Sequence, residues 1–185
     1  TTHMRFEKSL LDEQVWQDAK ESGCKYLHFG YESGVERVLQ LMDKATTTEI
    51  MTKHLQLTAN AGIWNHCMGF FGFPGETKEE AWQSVQFLEQ NKGHVHSLGF
   101  GTFDLGRHNP VAKYPDKWGV TAYKNPDWDL ALDYYYTVKN GMSIEEAERV
   151  FEQFEQHHNP GWDLRLYIRE YIFLYISKFG LEKLP

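Results

Sequence analysis

The chain has 185 residues, 41% hydrophobic and 15% aromatic, with a formal net charge of -7. That length predicts one domain that buries roughly 70% of the surface its unfolded chain exposes, with no need of disulfide staples. Two cysteines, Cys24 and Cys67, are too few for a disulfide framework or a four-thiolate metal site, and the acidic balance argues against a generic binder of nucleic acid or anionic membrane. No uninterrupted apolar run approaches the roughly 18 residues of a membrane span. The opening TTHMRFEKSLLDE lacks the apolar stretch of a secretory signal. A soluble, cytoplasmic α/β or α-rich domain is expected.

In chain order, Ser9–Ser22 reads as a helix, because Leu10, Leu11, Val15 and Ala19 recur at helical spacing and Gly23 stops the run. Cys24–Tyr31 is an aromatic strand. Gly34–Asp43 and Thr46–Ala61 are two further helices, the second closed by Gly62. Ile63–Phe73 (IWNHCMGFFGF) is a second strand, ended by Pro74 and Gly75. Thr77 then opens a helix running to Asn91, with Glu80 in the capping-box position. Val95–Leu105 is a third strand. Strands alternating with helices long enough to cross back over a sheet predict parallel βαβ units.

Residues 107–128 hold three prolines and little apolar periodicity, so a long loop is expected. The remainder, 129–185, reads as all-helical: Asp129–Lys139, Ser143–His158 with Ser143 and Glu146 as a second capping box, and Asp163–Phe179. Three strands are few for a closed barrel, so the sheet is either small and open or part of a larger one.

Functional loops of parallel α/β folds sit at the carboxyl ends of the strands. One such end is Gly30-Tyr31-Glu32-Ser33-Gly34, where Glu32 and Ser33 could bond a polyol such as a ribose. The plainer reading makes Ser33 an N-cap and Glu32 a first-turn acid. The other is Gly72-Phe73-Pro74-Gly75-Glu76-Thr77, whose Pro-Gly step sets a type II turn and lays backbone polar groups open. A tight turn plus a helix cap explains that loop equally well.

Taken together, GYESGVERVLQLMDKATTTEI and AGIWNHCMGFFGFPGETKEEAWQSVQFL resemble the radical S-adenosylmethionine (radical SAM) enzymes, and most of all the subgroup that often carries a cobalamin-binding domain. The resemblance covers residues 5–120. It implies a partial (β/α) TIM-type barrel of parallel strands over residues 1–106, followed by the loop and an α-helical C-terminal region. It places Glu32 and Ser33 in the ribose-contacting loop and Lys44 opposite the methionine carboxylate. Gly72, Phe73, Pro74 and Gly75 fall in the loop that packs on the adenine, and Arg5 at the end of a preceding strand. Ala45 stands where the family has a glycine.

The resemblance further implies a 4Fe-4S cluster held by a CxxxCxxC loop, which this chain does not contain, and in the subgroup cobalamin. The chain is therefore expected to be the carboxyl-terminal half of a radical SAM domain. The parent protein would cleave S-adenosylmethionine reductively to a 5′-deoxyadenosyl radical that acts on an unknown small-molecule substrate. The isolated chain is expected to show no turnover. Two alternatives stay open: a non-catalytic barrel-like scaffold, and a metal-dependent hydrolase using His66 with His94 and His96, which would share one face of a strand. Asp104 and Arg107 are candidates for the substrate side or a local ion pair, and His157 with His158 for a helix C-cap. The apolar last helix is a candidate contact with the remainder of the parent chain or with a second copy.

Overall fold

The fold is described from a computed structural model, which places residues 1–123, 132–158 and 178–179. Its centre is a parallel sheet in the order β1-β2-β3-β4, formed by Thr2–Met4, Tyr26–Glu32, Trp64–Phe71 and Ser97–Thr102. Helix α1 (Glu13–Glu21) connects β1 to β2. Helices α2 (Glu36–Leu41) and α3 (Thr48–Asn60) connect β2 to β3, and α4 (Lys78–Gln90) connects β3 to β4. The expected α/β class and the parallel sheet are both present, with one strand more than the sequence suggested.

The helices begin where their caps dictate. Helix α1 starts at Glu13 rather than Ser9 because Asp12 accepts the Gln14 N–H at 2.9 Å, leaving Lys8–Leu10 as a separate 3-10 turn. Thr47 caps α3, and Thr77 and Glu80 close a full capping box on α4.

Period-two alternation divides the sheet into two faces. Leu27, Phe29 and Tyr31 of β2, with Cys67 and Phe71 of β3, pack beneath the helices together with Leu39, Met51, Leu55, Val85 and Leu88. On the opposite face, β-pairing brings His3, His28, His66 and Ser97 into one row across all four strands. The next row contains Gly30, Met68 and Gly99. A Cβ on Gly99 would lie 2.9 Å from the His66 Nε2, so position 99 has to stay small.

Residues 107–138 depart from the expected loop and first helix. Helix α5 (Pro110–Lys113) and a 3-10 turn (Pro115–Trp118) lie within the expected loop. Beside them is a second, antiparallel sheet of β5 (Leu105–Gly106), β6 (Val120–Tyr123) and β7 (Asp133–Val138), in the order β5-β7-β6. The helix expected at Asp129–Lys139 is therefore corrected to a strand over 133–138. Its run of three tyrosines, Thr137 and Val138 suits a pleated surface, and it pairs on both edges.

Helix α6 (Ile144–His158) matches expectation, including the reciprocal bonds between Ser143 and Glu146. The helix expected at Asp163–Phe179 lies outside the described residues apart from 178 and 179, and the side chains of His157 and His158 also lie outside them. A second apolar cluster, Phe73, Phe103, Leu105, Val111, Val120 and Tyr136, joins the small sheet to the strand ends of the large one. No described helix is long and apolar enough to cross a membrane.

Candidate functional site

Strand β2 does not end as a regular strand. Its pairing with β3 shifts between Gly30 and Glu32, so that Tyr31 is an extra residue, and Glu32 takes a left-handed backbone with φ 61°. A bulge of this kind re-aims a side chain, and a non-glycine residue in that conformation is held there by its surroundings. Tyr31 supplies the hold: its fully buried hydroxyl donates to the Ser84 carbonyl at 2.7 Å. Glu32 folds back over β2, and a Cβ on Gly30 would sit 3.1 Å from its Oε1. Its partner is Lys44, whose Nζ donates to that oxygen at 2.9 Å. Lys44 reaches it because Asp43, with φ 57°, turns the chain after α2.

Glu32 and Lys44 stand on the wall of a cavity of about 1000 Å³ over the carboxyl ends of β1 and β2. Arg5, following β1, and His3 and His28 of the imidazole row also line it, as does Met68. His3 and His28 stack with ring centroids 4.4 Å apart, and His28 meets His66 edge-on at 5.5 Å. Burial and the neighbouring imidazoles His28 and His3 lower the pKa of His66 to about 4, and burial and His3 lower that of His28. The Trp64 indole N–H donates to the Ser97 Oγ at 2.8 Å, and this hydroxyl lies 2.8 Å from the His66 Nδ1. The Ser97 hydroxyl thus bridges the Trp64 indole and the His66 ring.

The other expected site residues are placed differently. Ser33 is fully buried, its Oγ 2.9 Å from the Ser84 Oγ and accepting the Val35 N–H at 3.2 Å. Enclosed in this way it ties β2 to α4 and does not line the cavity. Gly72, Phe73, Pro74 and Gly75 lie outside the lining as well. The two glycines have φ 87° and 91°, while Phe73 packs into the second apolar cluster.

The same loop is gripped from two sides. The Gly75 N–H donates to the Asn140 carbonyl at 3.1 Å and the Met142 N–H to the Glu76 carbonyl at 2.8 Å. From α2, the Arg37 guanidinium reaches both Glu80 and the Gly75 carbonyl. Glu76 itself is fully buried: Oε2 accepts the Gly72 N–H at 2.7 Å, Oε1 has no hydrogen-bond partner among the described residues, and burial pushes its pKa up to about 7.

The histidine metal reading does not match the geometry. His94 lies in a 3-10 turn and His96 precedes β4, so the two do not share a strand face. The His96 Nδ1 accepts the Asn65 N–H at 2.9 Å, and among the described residues no group of three or more His, Cys, Asp or Glu could hold a metal ion. Burial, with the charge of the Asp133 carboxylate, raises the pKa of Asp104.

The chain's two cysteines do not fit an iron–sulfur cluster either. Cys67 is fully buried on the helix-covered face, where burial pushes its thiol far up, and the half-buried Cys24 lies just before β2. The cavity, in contrast, presents a carboxylate, an ammonium and a guanidinium around open space. That set suits a ligand bearing an amino acid and hydroxyl groups.

The His3–His28–His66 row and buried Glu76 were missed from sequence. His28 and His66 carried a signal, since each falls at a period-two position of an aromatic-rich strand, whereas His3 in its three-residue strand carried none. The alignment of the row, however, depends on pairing register.

Comparison with known proteins accords with this geometry. Residues 2–88 match the radical SAM superfamily. An uncharacterized methyltransferase of Pyrococcus horikoshii is 32% identical over 84 residues, 44% of this chain and 18% of the relative. A tRNA-2-methylthio-N(6)-dimethylallyladenosine synthase of Shewanella baltica is 30% identical over 120 residues, 63% of this chain and 24% of the relative. The chain thus spans less than a third of the length of these curated relatives.

Among solved structures, coproporphyrinogen III oxidase (HemN) from Escherichia coli, a radical SAM enzyme, superposes with a TM-score of 0.59 at 12% identity. The match covers 84% of this chain and 31% of that one. The radical SAM methyltransferase TsrM from Kitasatospora setae, solved with cobalamin and a 4Fe-4S cluster, gives a TM-score of 0.55 at 18% identity, over 80% of this chain and 29% of that one. At these identities the superpositions establish a shared fold.

Proposed function

Residues 2–88 match the radical SAM superfamily, and from that match we propose that the cavity over β1 and β2 binds S-adenosylmethionine. The observation that carries the reading is the Glu32–Lys44 pair, aimed into the cavity by a bulge and two left-handed residues. A backbone held in this costly conformation at a strand end is characteristic of a ligand clamp.

When bound, S-adenosylmethionine supplies a reactive sulfonium for reductive cleavage, which is the proposed chemistry of the whole protein. The chain's own residues bind and orient. Lys44 offers an ammonium to the methionine carboxylate, and Glu32 accepts from a ribose hydroxyl or the ligand's ammonium. Arg5 adds positive charge at the end of β1. The buried Ser33–Ser84 contact fixes the loop that carries Glu32, so the carboxylate is positioned before the ligand arrives. The loop Gly72–Gly75 acts as a frame for this wall. Two cysteines supply no cluster, so the electron source is assigned to no residue of this chain.

Isothermal titration of the chain with S-adenosylhomocysteine tests the reading. Saturable binding is expected, weakened about tenfold by Lys44→Met and by Glu32→Gln. A wild-type chain that does not bind, or variants that bind as well as wild type, would overturn it and favour a scaffold without a ligand.

A further inference from the structure

At about 1000 Å³, the cavity stands at the upper end of the range for small-molecule sites, roughly 300–1,000 Å³, and its two ends differ in chemistry. Glu32 and Lys44 occupy the strand-end wall. The outer lip comes from the segment between β5 and β6, where Pro110, Tyr114, Lys117 and Trp118 border the same space. This lip is prefolded. Asn109 caps α5 by accepting the Val111 N–H at 2.9 Å, Pro115 opens the 3-10 turn, and Gly119, with φ 62°, ends it. The Trp118 indole N–H donates to the Leu41 carbonyl at 3.3 Å and fastens the turn to the end of α2.

On this fixed support Tyr114 is 66% exposed, the most exposed aromatic ring among the described large hydrophobic residues. Lys117 holds its ammonium 4.6 Å from the Trp118 ring centroid. Although the chain carries a net charge of -7, Arg5, Lys8, Lys44 and Lys117 line this cavity against the three carboxylates Glu7, Glu32 and Asp43. An exposed ring and an ammonium on a rigid lip form a surface on which a flat ligand stacks while its negative group is neutralised.

We infer that Tyr114, Lys117 and Trp118 bind the second ligand of the cavity, a planar aromatic ring bearing an anionic group, and so set the substrate class. This assignment rests on the proposed function in taking the strand-end wall as the cofactor side. Two sources share that chemistry: a nucleotide, in which a phosphate accompanies a base, and an aromatic carboxylate.

Titration of the chain with guanosine 5′-monophosphate, guanosine and indole-3-acetate, each with and without S-adenosylhomocysteine, tests the inference. One of the two anionic probes is expected to bind, and at least about fivefold more tightly than guanosine if it is the nucleotide. Tyr114→Ala and Lys117→Met are each expected to weaken that probe about tenfold and leave S-adenosylhomocysteine unaffected. Lys44→Met should do the reverse. Binding by neither anionic probe, indifference of the bound probe to both lip variants, or guanosine binding as tightly as the nucleotide would overturn the inference. Loss of S-adenosylhomocysteine binding with the lip still selective would instead overturn the proposed function alone.

Discussion

Buried Glu76 makes the stability of this chain depend on pH in a direction opposite to that of most carboxylates. In the fold its pKa is raised from 4.5 to about 7, because burial disfavours the charged form more than the Gly72 N–H favours it. Between those two values the native state holds a proton that the unfolded chain releases. Stability contributed by the neutral acid is therefore fully present below 4.5 and fades as pH rises through about 7. At 1.36 kcal/mol per pH decade, the full gap corresponds to about 3 kcal/mol, most of which falls between pH 5 and 8.

His28, His54, His66 and His96 act in the other sense, since their lowered values make stability fade as pH falls through 6.5. The difference between wild type and Glu76→Gln cancels them. The substituted amide keeps an acceptor for the Gly72 N–H but cannot ionise, so its cost is constant across pH. Urea unfolding at pH 5, 6, 7 and 8 should show the wild type losing about 2–3 kcal/mol relative to the variant over that range. Parallel pH profiles would show that Glu76 is charged in the fold and would refute the reasoning.

Two further substitutions probe the supports of the site. Gly141→Ala would put a Cβ 2.7 Å from the Glu76 carbonyl and 2.8 Å from the Gly75 nitrogen, at a φ of 90°, and should cost about 2–4 kcal/mol in urea unfolding. A loss below about 1 kcal/mol would mean that the 139–143 turn is free to shift. Ser84→Ala removes the acceptor of the Gly34 N–H and the partner of Ser33, and should cost about 1–3 kcal/mol. It should also weaken S-adenosylhomocysteine binding through Glu32, and unchanged affinity would argue that the bulge is held by Tyr31 alone.

Local signals made much of the main sheet readable. Thr77 with Glu80 and Ser143 with Glu146 announce their helices, and Gly23 and Gly62 end theirs with the positive φ that glycine tolerates. What was missed depends on distant partners. Strand β1 has three residues, too few to show an alternation, and exists through its pairing with β2. The segment containing Tyr134–Val138 mixes an acidic start with apolar spacing that mimics a helix, and it becomes a strand because β5 and β6 flank it.

The site divides along the same line. Glu32 stood out in its strand-end loop and Lys44 entered through the family resemblance. The bulge that aims Glu32 is a property of pairing with β3, and the fate of the Ser33 hydroxyl was decided by Ser84 on α4. The lip residues Tyr114 and Trp118 lay in a stretch whose prolines hid its order: Pro110 and Pro115 start short helical turns there.

The seam between the two sheets acts as an indexing device. Two backbone bonds, from Gly75 to Asn140 and from Met142 to Glu76, lie on either side of Gly141, which has no room for a side chain. One inserted residue there would move both bonds out of step and shift the small sheet relative to the strand ends. Among the described residues, the β5–β6 connection carries no such backbone bond to the Gly72–Glu76 loop. It is tied instead to the end of α2 by the Trp118 indole. Changes of length or sequence in that connection can therefore remodel the mouth of the cavity while its floor keeps its position. The fold thus separates a part free to diversify from a part that must stay in register.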